Sequence, residues 1–424
     1  WLACQTVGKD MLRTSLSIIP LLLGTAILLI GIGLQGTLIG LRANVEQFPL
    51  AITGLVMSAY FFGFVLGAHF CPPMIHRVGH IRAFAVMATV ASATAVAYAI
   101  WVDPLIWGLL RVLTGICMVG LYMVIESWLN SVAPSHLRGQ IFSIYMAVTL
   151  LAMAGGQYLL LLGEVAGFEL FGIITILLSL ALVPIAMTRL QQPELVVSAR
   201  LKLASLYATS PLGVVATLAA GMVTGAFWGM MPLYGANIGL DDLGVALLMS
   251  ATIMGGVLLQ WPIGLISDHI ARRKVLFLAT LIAAVLALLG FLMEQHVTLP
   301  LYVVAFLFGG FVFSLYGLSV AHVNDHIEPD HVLEATRSLL QLYGVGAMLG
   351  PTLAGQGMSR FGPRALPLFI ALVLGTLLLF ALFRMQRREA VPIAEQGEFV
   401  AMGRTSPVAL EMAPLAEEPA ESTE

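Results

Sequence analysis

Charged residues are scarce in this chain, and their scarcity distinguishes it from soluble globular proteins. Only 10% of the 424 residues are charged, whereas 59% are hydrophobic. A soluble globular protein has about 25% charged residues, so water is not the main solvent of this chain. The formal net charge of −3 gives no basic surface of the kind that binds nucleic acid. We therefore predict a membrane protein without a nucleic-acid partner.

Cysteine is rare, and the common sequence motifs of enzymes are missing. Cys4, Cys71 and Cys117 are scattered, and an odd number without regular spacing fits neither a disulfide framework nor a zinc site. The patterns GxxxxGK[ST], HExxH and GxSxG do not occur, which argues against ATP hydrolysis, a metalloprotease and a serine hydrolase. We predict that the protein is not an enzyme and uses no cofactor and no metal.

Long apolar runs, in contrast, fill the chain. A bilayer core of about 30 Å needs roughly 20 apolar residues per helix, and a lipid-exposed segment must satisfy its own backbone hydrogen bonds. Such runs predict an all-α membrane protein with twelve transmembrane helices. The predicted spans are 16–40, 50–71, 83–101, 104–130, 141–163, 168–189, 211–235, 245–267, 275–293, 300–322, 338–358 and 366–384.

The distribution of Lys and Arg predicts the orientation. If the N-terminus is cytoplasmic, sixteen of the 20 basic residues lie on the cytoplasmic side, three lie outside, and Arg111 lies within a span. Cytoplasmic loops carry the excess of basic residues, so we expect both termini in the cytoplasm of an inner or plasma membrane. No cleavable signal peptide is expected, because the first apolar run is too long.

The spans divide the chain into two halves joined by a linker. The linker contains ARLKLASLY, which predicts a short helix lying on the membrane, and the C-terminal tail is rich in Ala, Glu and Pro, which predicts disorder. We expect residues 1–10 to precede the native start at Met11. The predicted segments are an N-terminal segment 1–15, a first half 16–189, a cytoplasmic linker 190–210, a second half 211–384 and a cytoplasmic tail 385–424.

Two pairs of stretches repeat at nearly the same offset. GICMVGLYMVIESWLN (115–130) and GGFVFSLYGLSVAHVN (309–324) share Gly, Leu-Tyr and Asn at equal spacing, 194 residues apart. PPMIHRVGHIR (72–82) and GLISDHIARRK (264–274) are charged clusters 192 residues apart. Both pairs occupy equivalent places in the two halves, which indicates a duplication and pseudo-symmetric six-helix halves.

Together these features resemble the major facilitator superfamily of secondary transporters, over about residues 12–385. The second cluster keeps most of the family loop motif Gly-x-x-x-Asp-Arg-x-Gly-Arg-Arg, whereas the first has His76 in place of the Asp. RVLTGICMVG (111–120), APSHLRG (133–139) and GVGAMLGPTLAG (344–355) resemble further family motifs. VIES, WGMMPLY, LLQWPIG and GAMLGP resemble the YcaD-type permeases, a subgroup of this family.

The resemblance implies secondary transport of a small solute by alternating access, coupled to an ion, with protons expected. The alternatives are a non-transporting membrane receptor or scaffold with this fold, and a lipid flippase. The partners expected are the solute, the lipid bilayer and protons, and the expected state is a monomer. Gating or conformational roles are implied for Gly264, Asp268, Arg272, Arg273, Arg77, Gly79 and Arg138; a topology signal without gating is the alternative for these charges.

Arg111 and Glu126 are the candidates for substrate or proton coupling. They lie on one predicted helix about 22 Å apart, at 1.5 Å per residue, so they cannot pair directly. An intramembrane Arg is costly unless it faces a partner or a wet cavity, so Arg111 either contacts an anionic cargo or proton site, or is structural. Glu126 either carries a coupling proton or forms a fixed ion pair with Arg77 or Arg138.

In the family, the first, fourth, seventh and tenth helices line the substrate cavity. The polar-tipped residues of those spans are Gln35, Tyr122, Trp228, Tyr234 and Tyr316. Because the other residues of these spans are mostly apolar, a small amphipathic cargo fits at least as well as a sugar. The direction of transport stays open between import and export, with a lean toward efflux of such compounds.

Overall fold

The fold is built from helices. A computed structural model describes residues 2–134, 137–187, 201–293, 298–387, 391–397, 399 and 405–406, and these residues contain α-helices and short 3₁₀ turns but no strand. The helices are α1 (Leu2–Val45), α2 (Leu50–Val78), α3 (His80–Ile100), α4 (Pro104–Val132), α5 (Arg138–Gly156), α6 (Glu169–Leu180), α7 (Leu182–Ala186), α8 (Leu203–Thr209), α9 (Pro211–Asn237), α10 (Asp242–His269), α11 (Arg272–Leu292), α12 (Thr298–Asn324), α13 (Val332–Phe361) and α14 (Ala365–Arg387).

Each of the twelve predicted spans falls on a helical segment. In the part of the chain that is described, 11 helical segments are long and apolar enough to cross a membrane. The remaining predicted span, 338–358, lies on α13, which is glycine-rich and carries Glu334 and Arg337 near its start. Because α13 packs closely against α9 and α2, its more polar composition is sheltered from lipid. The twelve-helix fold is thereby confirmed.

The two halves repeat the same close helix pairing. In the first half α2 packs on α4, and in the second half α10 packs on α12. A Cβ atom on Gly63 would collide with the backbone of α4, and one on Gly255 would collide with the backbone of α12. Small residues allow such close backbone approach in membranes. The two glycines are 192 residues apart, so the duplication seen in the sequence extends to the packing.

At one end of the bundle, here named the closed end, the two halves touch directly. The amide of Asn237 at the end of α9 donates to Asn44 at 3.2 Å, and the hydroxyls of Ser58 and Thr352 are 2.7 Å apart. A Cβ atom on Gly54 would lie 2.5 Å from the carbonyl oxygen of Pro351. The closed end is therefore held by small neutral residues at close range.

At the opposite end, here named the tail end, part of the C-terminal chain packs against both halves. The tail was predicted to be disordered from residue 385, but α14 continues to Arg387 and residues 391–397, 399 and 405–406 are placed. The Phe399 ring packs on Gly264 and Gly317, and Thr405 and Ser406 are buried. The difference arises because buried hydrogen-bonding groups of both halves face this segment, which composition alone does not reveal.

The remaining predicted segments are only partly described. In the linker, residues 188–200 lie outside the described residues, while the predicted short helix forms as α8, with Leu206 buried. The backbone of α1 is helical from Leu2, so residues 2–15, predicted as a cytoplasmic N-terminal segment, continue the helix of the first predicted span.

Candidate functional site

A central cavity lies between the two halves. It has a volume of about 170 Å³ and is lined by residues of α1, α2, α4, α5, α9, α10, α12 and α13. Four of the predicted residues line it, namely Gln35, Arg111, Tyr122 and Trp228. Sequence reasoning missed the lining residues Tyr60, Phe61, Phe64, Phe313, Tyr343 and Thr405.

Arg111 carries the one formal charge among the described residues that line this cavity. Its side chain is 6% exposed, and its guanidinium carbon lies 4.7 Å from the centre of the Tyr60 ring. Within the described residues its Nε has no hydrogen-bond partner and its guanidinium takes part in no ion pair. The cation–π contact offsets part of the cost of burying the charge but leaves a donor available to an anion.

The polar and aromatic walls complete the cavity. Gln35 is buried, and its Nε2 has no hydrogen-bond partner within the described part of the chain. Trp228 and Phe313 lie nearly parallel, with ring centres 6.2 Å apart and planes 18° apart. The ring of Tyr122 lies 6.5 Å from that of Phe64. Aromatic rings of both halves thus line the cavity, together with the hydroxyls of Tyr60, Tyr122 and Tyr343.

Two predicted cavity residues lie elsewhere. Tyr316 is buried against Tyr343, with ring centres 4.9 Å apart, so it supports a lining residue rather than lining the cavity. Tyr234 lines a separate small apolar cavity within the second half. Both side chains are buried, so their polar tips are held by packing in the interior of the bundle.

Glu126 is fully buried in the C-terminal part of α4, which lies toward the tail end of the bundle. Its carboxylate accepts a hydrogen bond from the Tyr145 hydroxyl at 2.7 Å and further hydrogen bonds from the hydroxyls of Thr405 and Ser406. The predicted alternative of an ion pair with Arg77 or Arg138 is not formed between these described residues. Hydroxyl donors from α5 and the tail take that position instead.

The second-half charge cluster is organised around Arg272. The guanidinium is 2% exposed; it donates to Asp268 at 3.1 Å and to Asp325 at 2.6 Å. It also donates to the carbonyl oxygens of Ala321 at 3.2 Å and Gly397 at 2.5 Å. Asp325 was missed because it follows α12 outside the loop motif. Burial raises the pKa of the Asp325 carboxyl, although the nearby Arg272 and the Gly397 N–H offset part of this effect.

The first-half copy is not organised in this way. Arg77 is exposed at the end of α2, and Arg138 begins α5. Gly79 has φ of +86° and joins α2 to α3, a conformation that favours glycine. The equivalent turn of the second half uses Ala271 with φ of −48°, which explains how that copy dispenses with the motif glycine. Arg273, next to Arg272, lines a small surface pocket with Arg384.

The sequence and fold are similar to those of membrane transporters. The family model described as Major Facilitator Superfamily matches residues 213–417, and the model described as Sugar (and other) transporter matches residues 40–186. The chain is 29% identical over 362 residues to the uncharacterized MFS-type transporter YcaD of Salmonella arizonae and of Salmonella typhi. Each match covers 83% of this chain and 92% of the relative.

Two solved structures share the fold. The nucleoside transporter NupG superposes with a TM-score of 0.71 and 14% identity, over 88% of this chain and 99% of that one. A bacterial homologue of the human lysosomal transporter Spinster, in an inward-facing and occupied conformation, gives a TM-score of 0.71 and 15% identity, over 90% and 98% of the two chains. At these identities the likeness concerns the fold.

Proposed function

We propose that this chain moves a small solute by alternating access without hydrolysing ATP. The premise is that the chain belongs to the major facilitator superfamily and is a transporter of that kind. The observation that carries the proposal is a cavity lined by both halves and closed at one end by their direct contact. Rocking of one half against the other around a central site is the simplest motion such an arrangement allows.

The tail end is proposed to face the cytoplasm. The basic residues Arg77, Arg138, Arg273, Lys274 and Arg384 belong to segments near that end, and basic residues favour the cytoplasmic side. Both termini are then cytoplasmic, and the state described is inward-facing. The inward-facing conformation of the Spinster homologue supports this assignment by similarity of fold.

Proton coupling is proposed to use Glu126. A buried carboxylate can bind or release a proton when its surroundings change. The hydroxyl groups that donate to Glu126 can stay hydrogen-bonded to it in either protonation state. Glu126→Gln should keep the fold and solute exchange but abolish uphill transport driven by a proton gradient. Tyr145→Phe removes one hydrogen bond and keeps the carboxyl, so it serves as the control that retains coupling.

The charge clusters are proposed to control the motion. Arg272 joins Asp268 to α12 through Asp325, so movement of α10 and α11 relative to α12 must rearrange this cluster. Arg77, Gly79 and Arg138 would play the corresponding part in the first half, with weaker electrostatic constraint because that copy lacks the Asp.

Alternating access can be tested before the solute is known. The native cysteines are replaced and Gly36→Cys is introduced, since a Cβ there meets open space and the residue lines the cavity. The introduced thiol is named the cavity probe. Membrane-impermeant maleimide is applied to inside-out and right-side-out vesicles. Labelling of the cavity probe from both sides is expected for a transporter, whereas labelling from one side alone identifies a static scaffold.

A disulfide across the closed end sharpens this test. Ser58→Cys with Thr352→Cys joins the two halves, and the disulfide should abolish labelling of the cavity probe from the closed side until it is reduced. The matched control is Ser92→Cys with Ser179→Cys, whose native hydroxyls are 2.9 Å apart within the first half. That disulfide should leave labelling from both sides unchanged.

A further inference from the structure

The charge balance of the central cavity points to the class of cargo. Among the described lining residues Arg111 is charged and no Asp or Glu accompanies it. Arg111 is buried against Tyr60 without an ion pair in the described part of the chain. Because burying a lone guanidinium is costly, a bound anion would relieve an energetic cost that the protein alone bears.

The remaining surface of the cavity fits a flat apolar body. Trp228 and Phe313 present nearly parallel rings from the second half, and Tyr60, Phe64 and Tyr122 present rings from the first half. Aromatic faces favour stacked or edge contacts with another ring. Methionines 146, 153 and 249 also line the cavity, and their flexible thioethers adapt to irregular apolar shapes.

From these features we infer that the cargo is a small aromatic or similarly apolar carboxylate with a single negative charge. Arg111 would bind the carboxylate, with the unpartnered Nε2 of Gln35 as a second donor from the same cavity. The rings of both halves would hold the apolar body. A sugar or nucleoside could bond to the hydroxyls of Tyr60, Tyr122 and Tyr343 but would leave the charge of Arg111 uncompensated, and a cation would be repelled by Arg111. This inference rests on the proposed transport function and specifies its substrate.

The test compares each acid with its neutral amide. Thermal unfolding of the purified full-length protein is measured with benzoate, phenylacetate and indole-3-acetate, and with benzamide, phenylacetamide and indole-3-acetamide. At least one acid should stabilise the protein and bind about ten-fold or more tightly than its amide, as expected for charge-assisted hydrogen bonds. The panel is repeated on Phe399→Ala, so that the tail segment next to the cavity cannot mask binding.

Two variants separate the charge from the shape of the site. Arg111→Gln should remove the preference for acid over amide, and Arg111→Lys should restore part of it. Gln35→Glu places a negative charge in the cavity without loss of volume and should also abolish acid binding. Equal binding of acids and amides overturns the cargo class, and so does the absence of binding to both the wild type and Phe399→Ala. Labelling of the cavity probe from both sides would still support transport, so the two failures can be distinguished.

A second inference rests on different residues, at the tail end. The backbone of the tail binds the charge cluster of the second half: Gly397 accepts from Arg272 at 2.5 Å and donates to Asp325 at 3.2 Å. The N–H of Phe399 donates to Asp268 at 2.8 Å. The Phe399 ring covers Gly264 of α10 and Gly317 of α12. The loop motif therefore forms a binding site for backbone groups of the tail.

The described tail residues also reach the first half and the central cavity. Thr405 and Ser406 donate hydrogen bonds to Glu126, and Thr405 is one of the lining residues of the cavity. The tail thus contacts both halves from the tail end, at the opposite end to the direct contacts between Asn44 and Asn237 or Ser58 and Thr352.

We propose that Gly397, Phe399, Thr405 and Ser406 hold an autoinhibitory plug in the tail-end opening of the cavity, and that this plug must leave before cargo can pass. A tail bound to both halves restrains their relative movement as well as blocking access. Release requires loss of the backbone hydrogen bonds to the Asp268, Arg272 and Asp325 cluster and withdrawal of the two hydroxyls from Glu126.

The plug is tested by the rate at which maleimide labels the cavity probe from the tail end. Phe399→Ala and the double change Thr405→Ala with Ser406→Ala should each accelerate labelling about three-fold or more, as expected when contacts worth a fraction of a kcal/mol or more are lost. Ile393→Ala is the matched control, because Ile393 is exposed on the same tail and its loss should leave the rate unchanged.

A disulfide tests the opposite direction. Gly264→Cys with Phe399→Cys places two cysteines at the site of the ring contact, and the oxidised protein should label more slowly than its reduced form. Failure to form this disulfide together with unchanged labelling rates in both plug variants overturns the proposal. A fast rate only in the plug variants, with Ile393→Ala unchanged, supports it.

Discussion

The two ends of this bundle are closed by different physical means. At the closed end, neutral side chains and glycine bring the helices of the two halves into direct contact. At the tail end, charged groups dominate, and the described chain between the halves is a tail segment bound to Glu126, Asp268 and Arg272. The first contact depends on shape and separates without leaving a charge unpaired. The second depends on charges that need new partners when it opens.

The largest effect is expected where removal of one charge leaves others buried. Arg272→Met should destabilise the protein by about 3–5 kcal/mol, because Asp325 loses its buried cation. Thermal or denaturant unfolding measures the loss. The control is Lys274→Met, since Lys274 is exposed in the same helix and its change should cost little. Equal stability of the two variants would show that the tail-end charges contribute no more than a surface pair.

A change of shape should disrupt the closed end without a change of charge. Gly54→Leu places a side chain where even a Cβ atom lies 2.5 Å from the carbonyl oxygen of Pro351. Labelling of the cavity probe from the closed side should rise about ten-fold, equivalent to about 1.4 kcal/mol. Gly108→Leu is the control, because a Cβ there meets nothing within 4 Å. No difference between the two leucine variants would contradict closure by steric fit.

Asp268→Asn tests charge at the tail end with little change of shape. Asn retains an oxygen acceptor for the Phe399 N–H but loses the charge that faces Arg272. Labelling of the cavity probe from the tail end should rise about three-fold, within the range of charged hydrogen bonds that are partly exposed, and the difference should shrink in high salt. Transport and labelling that are identical to those of the wild type would remove Asp268 from the gating cluster.

The smallest effect is expected from the neutral hydrogen bonds of one hydroxyl at the closed end. Ser58→Ala removes the hydroxyl that bonds to the Oγ1 and the N–H of Thr352 and should cost about 0.5 kcal/mol, the low end for neutral hydrogen bonds. Its effect on labelling of the cavity probe from the closed side should be independent of salt, unlike that of Asp268→Asn. A salt-dependent effect of Ser58→Ala would show that charge contributes to the contacts of the closed end as well as to those of the tail end.

Sequence reasoning predicted the helices better than the contacts between them. A transmembrane span is a local property of about 20 residues, so the twelve predicted spans overlap the observed helical segments. Gln35, Tyr122 and Trp228 from the family pattern line the cavity together with Arg111, and their roles in cargo binding stay predictions. The family pattern was less accurate for Tyr234 and Tyr316, since helix rotation decides which face of a helix is turned to the cavity and the surrounding sequence is apolar on all sides.

The contacts that sequence reasoning missed join segments that are distant along the chain. Asp325 lies 53 residues after Arg272 and has no motif of its own. Tyr60 on α2 meets Arg111 on α4 through glycine-mediated packing. The tail has a composition typical of disorder, yet Phe399 binds the folded second half, and Thr405 and Ser406 bind Glu126 of the first half. Local composition carries no information about such contacts.

The covalent attachment of the tail has a consequence for competition. Gly397 lies only ten residues beyond Arg387, the last residue of α14, so the tail meets its site at a high effective concentration, in the millimolar range for a short covalent connection. Weak individual hydrogen bonds can then keep the site occupied whatever the amount of protein in the membrane. A free peptide of the same sequence would need a concentration of similar size to displace it.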